Sequence, residues 1–298
     1  MPRTDSWDGI SHVHHRGPVS LYLYREDLPV VARRELLHLP QILTDVQGME
    51  SRSAGKETVW RWAPEWLDGG RLVVRQYVHG GLFGGILGGL FISDRSMRRE
   101  LDIAIYTHRA GLPVPVPFGV YVERLPGPFL KAYYLSREVG GAENLLAYLR
   151  GFNGKDAGVL GTTARFNLAK EVGSVIADFH QAGVAFGDLN LKNLLVRNGD
   201  DPEVFLVDFK KAKRVPRVSL KEGLQNLMRL DRSVLKWDGS RTQTRLTDRL
   251  RVLKAYLRHR REGEGEWKSC ARRLEVRRPD HLLRLWRWRG AGRRGDRR

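Results

Sequence analysis

The sequence predicts an α+β fold in two lobes, a small β-rich N-terminal lobe over residues 1–140 and a larger helical C-terminal lobe over residues 141–298. Three observations lead there. Short β-branched and aromatic runs bounded by Gly crowd the first half, amphipathic helical periodicity dominates the second, and the change of character falls at Gly140-Gly141. A chain of 298 residues is long enough to give each lobe its own core. Its 41% hydrophobic and 29% charged residues are a globular rather than a disordered composition.

Residues 1–20 read as a loose polar lead-in, where the cluster of His12, His14 and His15 is incidental rather than a metal site. Residues 21–75 read as short extended pieces, clearest in Val59-Trp60-Arg61-Trp62 and in the run from Leu72 to Val78. A Gly-rich apolar connector over 81–92 follows, well short of the roughly 20 residues that span a bilayer. Residues 96–110 then have helical periodicity, with Met97, Leu101, Ala104 and Ile105 on one side. Gly111 ends that helix, and Pro113, Pro115 and Pro117 enforce an extended path into a strand pair over 116–123 and 131–138. Helices are expected over 142–150 and 164–181, and short strands over 194–197 and 204–207. From Leu220 the chain is helical and basic, running into a tail over about 289–298 that is expected to be disordered.

Composition narrows the setting. Cys270 is the one cysteine, so no internal disulfide forms and a cytosolic environment is expected. Residues 1–11 carry no apolar run of the kind a signal peptide needs, and no transmembrane helix is expected. The net charge of +18 favours an anionic partner: nucleic acid, an anionic membrane face or a polyanionic substrate.

The chemistry concentrates between Phe186 and Lys211. A helix leads into a loop bearing Asp188; Asn193 enters a short strand, and a second apolar strand ends on Asp208-Phe209. Each of these alone reads as an ordinary turn residue. Together they are what phosphoryl transfer requires: one carboxylate to take the proton of the attacking hydroxyl, and a second carboxylate with a neutral oxygen to hold the magnesium that bridges the ATP phosphates. The set resembles the catalytic loop and metal-binding Asp of the protein-kinase-like superfamily. In that pattern a strand cation touches the phosphates and pairs with a Glu on the next helix. Arg75 in Leu72-Val-Val-Arg75 and Glu100 stand at those places, and Glu138 at the end of the following strand pair is assigned to the nucleotide as well. No G-x-G-x-x-G precedes Arg75, and the Gly55-Lys56 pair does not complete a Walker loop, because Glu50 and Glu57 stand where Gly and Ser or Thr are needed.

Four stretches narrow the resemblance. They are the Arg-Gln-Tyr-Val-His-Gly-Gly run from Arg75 to Gly81; Arg99-Glu100 with the Ala-Gly-Leu-Pro-Val-Pro-Val-Pro run from Ala110 to Pro117; Gly187-Asp-Leu-Asn-Leu-Lys-Asn193 with Val207-Asp-Phe209; and the Asn-Leu-Met-Arg-Leu-Asp-Arg-Ser run from Asn226 to Ser233. The sequence resembles the lipopolysaccharide kinase family, in its 3-deoxy-D-manno-octulosonic acid (Kdo) kinase branch. That resemblance implies phosphoryl transfer from ATP to a sugar hydroxyl of the inner core, at the cytoplasmic face of the inner membrane. It implies Asp188 as base, Asn193 and Asp208 on magnesium, and Arg75 and Glu100 at the phosphates; Lys192, four residues after the base, is expected from its own position to meet the transferred phosphate. The expected partners are ATP, Kdo-lipid A and an anionic membrane surface, with the basic and aromatic stretch at 281–288 suited to the headgroups and no nucleic acid required. Three residues depart from the pattern, one of them Asn190 in place of the Lys common two residues after the base. Phe186 stands where a loop-supporting His is common, so support must come from elsewhere, and Lys210 replaces the Gly after Asp208-Phe209. The alternatives are a kinase of this fold with another acceptor and a non-catalytic binding protein.

Overall fold

The computed structural model describes residues 12–24, 28–45, 50–54, 57–78, 89–151, 161–198, 201–238, 244–262, 265 and 267–276. In chain order the first elements are β1 (His12–Arg16), β2 (Val19–Leu23), α1 (Val30–Leu36), α2 (Leu39–Asp45), β3 (Glu50–Ala54), β4 (Glu57–Trp62), β5 (Leu72–Gln76), α3 (Arg95–Arg109), β6 (Pro117–Arg124) and β7 (Leu130–Arg137). Then come β8 (Ala142–Asn144), α4 (Leu145–Gly151), α5 (Thr162–Gln181), β9 (Val184–Ala185), β10 (Leu194–Arg197), β11 (Glu203–Leu206), β12 (Lys213–Arg214), α6 (Leu220–Asp238), α7 (Leu246–Arg260) and α8 (Trp267–Val276).

The chain forms two units. The first holds Met1–Asn144 with the returning segments Asn193–Gly199 and Val204–Arg214; the second holds Leu145–Lys192, Asp200–Glu203 and Val215–Arg298. The first unit is built on a seven-stranded sheet in the order β1-β2-β6-β7-β5-β4-β3, antiparallel at every pairing given. Alternation along the strands loads both faces. Leu21, Leu23, Leu72, Val74, Tyr133 and Leu135 form one core with α1 and α2, while Tyr22, Val120, Val122 and Ala132 form another with Met97, Leu101 and Ile105 of α3. A bulge between Pro117 and Gly119 shifts the β6 register, so that Phe118 and Tyr121 share one face although their spacing is odd. Gly119 fits there because a Cβ would lie 2.2 Å from the Tyr22 carbonyl oxygen.

Several expectations are corrected. Of the lead-in expected over 1–20, residues 12–16 and 19–20 lie in paired strands, and the extended reading of 21–75 misses α1 and α2. Local propensity does not favour a helix opening on Val30-Val31; burial of Ala32, Leu36 and Leu39 against the sheet decides it. The helix expected over 142–150 begins as β8, whose residues pair with β10 (Leu195 opposite Asn144), and becomes helical only from Leu145. Residues 81–88 of the Gly-rich connector, the stretch at 281–288 and the terminal tail lie outside the described residues. No described helix is long and apolar enough to cross a membrane.

The second unit is helical around α5, α6 and α7. Gly173 lets α5 and α7 approach closely: a Cβ there would lie 2.5 Å from the Val252 carbonyl oxygen. His180 at the end of α5 is fully buried, with Nδ1 2.8 Å from the Tyr256 hydroxyl of α7. Burial first, then the Arg260 charge, push its pKa down to about 4, so it is neutral near neutral pH.

Candidate active site

In the first unit, β5 and α3 bring Arg75 onto Glu100. The Arg75 Nη2 donates to Glu100 Oε1 at 2.5 Å, and Arg75 Nη1 lies 3.8 Å from Asp208 Oδ1. Glu100 falls on the apolar side of α3, between the buried Met97 and Leu101, and only 1% of it is exposed. Burial raises its carboxyl pKa, Arg75 pulls it back and Asp208 raises it again. A carboxylate so placed needs its cation, and the pair fixes Arg75 in direction. The guanidinium also lies over two rings, 5.2 Å from the Tyr77 centroid and 5.4 Å from that of Tyr134.

Asp208 follows β11, and the main chain at Val207 donates to the Asn193 carbonyl at 3.0 Å, so the hairpin ties the start of β10 to the residue before Asp208. Asp208 adopts φ 67°, a left-handed conformation that L-residues avoid and that Asp tolerates by bonding its own backbone. Its Oδ1 accepts from the Lys210 backbone N–H at 3.3 Å. The Lys210 ammonium lies 5.2 Å from the Tyr77 centroid, so the residue standing in place of Gly joins Arg75 on the same ring. Glu138 does not join this group: its carboxylate accepts from Arg61 Nε at 2.6 Å, with Arg71 4.0 Å away.

In the second unit the loop bearing Asp188 hangs from α6. The Phe186 N–H donates to Asn226 Oδ1 at 2.6 Å, and Asn226 is itself 1% exposed and donates to the Glu222 carbonyl. Arg229 reaches the Phe186 carbonyl at 3.4 Å, and Ser233 Oγ accepts from the Leu191 N–H at 3.2 Å. Residues 226, 229 and 233 share one helix face, and they hold the main chain on both sides of Asp188. The Phe186 ring packs on Phe179 and His180, with centroids 5.5 Å and 6.0 Å away. The support that the His-to-Phe change removes therefore comes from α6. In the sequence the run from Asn226 to Ser233 shows only its helical spacing, which does not reveal that it holds this loop.

Within the loop, Asn190 Oδ1 accepts from the Lys192 N–H at 2.9 Å, and its amide donates to the Asp188 carbonyl at 3.2 Å. Asn190 thus shapes the turn. Lys192 extends over Trp237, its Nζ 5.4 Å from the ring centroid. Arg150 of α4 and Lys236 of α6 lie on the same indole, at 4.9 Å and 5.4 Å.

A buried Arg–Glu pair beside a carboxylate on a strand-end turn, and a helix-supported loop acid, are parts of the kind that phosphotransferases of the protein-kinase-like fold use. The solved structure of WaaP in complex with acyl carrier protein has that fold and superposes with a TM-score of 0.50 at 17% identity, over 84% of this chain and 97% of the other. The lipopolysaccharide kinase (Kdo/WaaP) family matches residues 67–256, and the chain belongs to that family. Relatives named 3-deoxy-D-manno-octulosonic acid kinase are 31% identical in Actinobacillus succinogenes, over 75% of this chain and 83% of the relative, and 29% identical in Mannheimia succiniciproducens, over 61% and 73%. One from Stenotrophomonas maltophilia is 32% identical over 66% of this chain and 73% of its own length.

Proposed function

We propose that this chain transfers the γ-phosphoryl group of ATP to a hydroxyl of 3-deoxy-D-manno-octulosonic acid in the lipopolysaccharide inner core. The observation that carries the reading is Arg75, joined to the buried Glu100 and within 4 Å of Asp208, in a chain of the lipopolysaccharide kinase family. Asp188 accepts the proton of the attacking sugar hydroxyl. Arg75, aimed by Glu100, meets the phosphates. Asn193 and Asp208 are oxygen donors of the kind magnesium prefers, and Asp208 is already fixed in direction by its bond to the Lys210 main chain, so the donor set fits the ion. When bound, magnesium offsets the charge of the phosphates.

The acceptor is an anionic glycolipid, and the net charge of +18 favours peripheral contact with the anionic cytoplasmic face of the inner membrane. The test offers Kdo-lipid A, a heptosylated core and a generic protein to the wild type, with labelled ATP. Label should enter Kdo-lipid A. Asp188→Asn should lower kcat by about a thousandfold, in the range expected for loss of a general base. Preferred labelling of the protein, or turnover indifferent to Asp188→Asn, would sink the reading.

A further inference from the structure

Trp237 gathers three cations from three separate elements: Arg150 at the end of α4, Lys192 from the loop after Asp188, and Lys236 beside it on α6. Each charge gains from the ring quadrupole, by about 0.5–1 kcal/mol at an exposed site. With all three near 5 Å from one centroid, they lie within about a Debye length of one another and repel. An indole holding such a group together leaves a concentrated positive spot that an anion relieves.

We infer that Arg150, Lys192 and Lys236, held by Trp237, form the subsite that binds the carboxylate of the acceptor sugar. The inference rests on the acceptor reading above and deepens it. It also moves Lys192 from the transferred phosphate, where sequence reasoning places it, to the acceptor. Its ammonium lies with Arg150 and Lys236 on the Trp237 ring. Lys192 is four residues past Asp188, so the anion it binds belongs to the sugar that presents the hydroxyl or to the one next to it. An octulosonic acid carries its carboxylate on that sugar. The lipid phosphates are the other source of negative charge, and the experiment separates them.

Arg150→Gln and Lys236→Gln are exposed changes that leave the core alone. Each should raise the KM for Kdo-lipid A by about tenfold, the usual worth of a charge-assisted contact. The KM for ATP and the slow ATP hydrolysis without acceptor should be unchanged. Trp237→Leu should scatter all three cations and raise the acceptor KM further, and Trp237→Phe, which keeps a ring face, should restore most of it. In a second arm, the wild type should lose the same factor when the sugar carboxylate is reduced to an alcohol, and little when the lipid phosphates are removed; the reverse pattern would overturn the assignment. An unchanged acceptor KM in the variants would overturn it too, as would a loss of acceptor-free ATP hydrolysis equal to the loss of transfer. The free acidic sugar, titrated by calorimetry, keeps this inference apart from the reading it rests on. Binding that Arg150→Gln weakens supports the subsite even if no phosphate reaches Kdo-lipid A, and binding that it leaves untouched counts against the subsite.

Discussion

Among the aromatic residues that hold cations, Tyr77 and Trp237 sit in contrasting surroundings. Tyr77, 3% exposed, holds Arg75 and Lys210 beside two carboxylates, Glu100 and Asp208. Its own hydroxyl pKa is raised well above normal by burial, with Glu100 adding, so it stays a neutral ring under the cations. Trp237, by contrast, collects three cations on a partly exposed indole. Burial makes the centre of the first group a pair, Arg75 and Glu100, in which each charge fixes the other. Exposure lets the second remain a concentration of one sign. The first arrangement suits a role in which geometry must be set before the ligand arrives, the second a role in which the ligand supplies the missing charge.

That contrast can be broken by measurement. Arg75→Leu strands the buried Glu100 carboxylate and should cost about 3–5 kcal/mol of stability, whereas Arg150→Gln should stay within about 0.5 kcal/mol. Urea unfolding of the two variants reads both, and similar losses would show that the two platforms do not differ in kind. Removing Glu100 together with Arg75 should recover part of the first loss.

Acid tests the second unit. His180 has its pKa lowered to about 4 from an ordinary 6.5, so the folded state favours the neutral ring. That contribution is fully present above pH 6.5 and disappears as pH falls toward 4, amounting to about 3 kcal/mol. Stability measured from pH 7 down to 4 should therefore decline, and His180→Gln should flatten much of the slope. Because His180 packs against Phe186 and stays neutral in the folded protein down to about pH 4, its charging should lower the folded enzyme's kcat only near that pH, and a kcat unaffected there by His180→Gln would remove His180 from the support of the loop.

The smallest effect concerns the loop itself. Asn226→Leu leaves the Phe186 N–H buried without its acceptor, a loss of about 1–3 kcal/mol. It should lower kcat more than either KM, because Asp188 loses its placement rather than its substrate. Asn226→Asp retains an acceptor oxygen and should recover most of the kcat. Equal losses in both variants would mean that α6 supports the fold and not the loop.

Much of this was legible in the sequence. The helix bearing Glu100 and the strand bearing Arg75 announce themselves by local periodicity, and their pairing follows the motif. The order of Asp188, Asn193 and Asp208 is likewise a local property, since each lies in one short loop or at a strand end. The helices α1 and α2 were not legible, because their apolar residues find partners only on a sheet assembled from β2, β5, β6 and β7. The pairing of the Glu138 carboxylate with Arg61 across the sheet was not legible either, because β5 lies between their strands.

The sequence by itself determined the class of chemistry and the candidate residues for it, because spacing within a loop or along one helix is set by the backbone alone. Tertiary structure decided how those residues are held and aimed. It took α6 to supply the acceptor for Phe186, Tyr77 to gather Lys210 with Arg75, and Trp237 to gather Lys192 with Arg150 and Lys236. Those contacts join residues far apart in the chain, and their energies come from burial and charge, which exist only once the chain is packed.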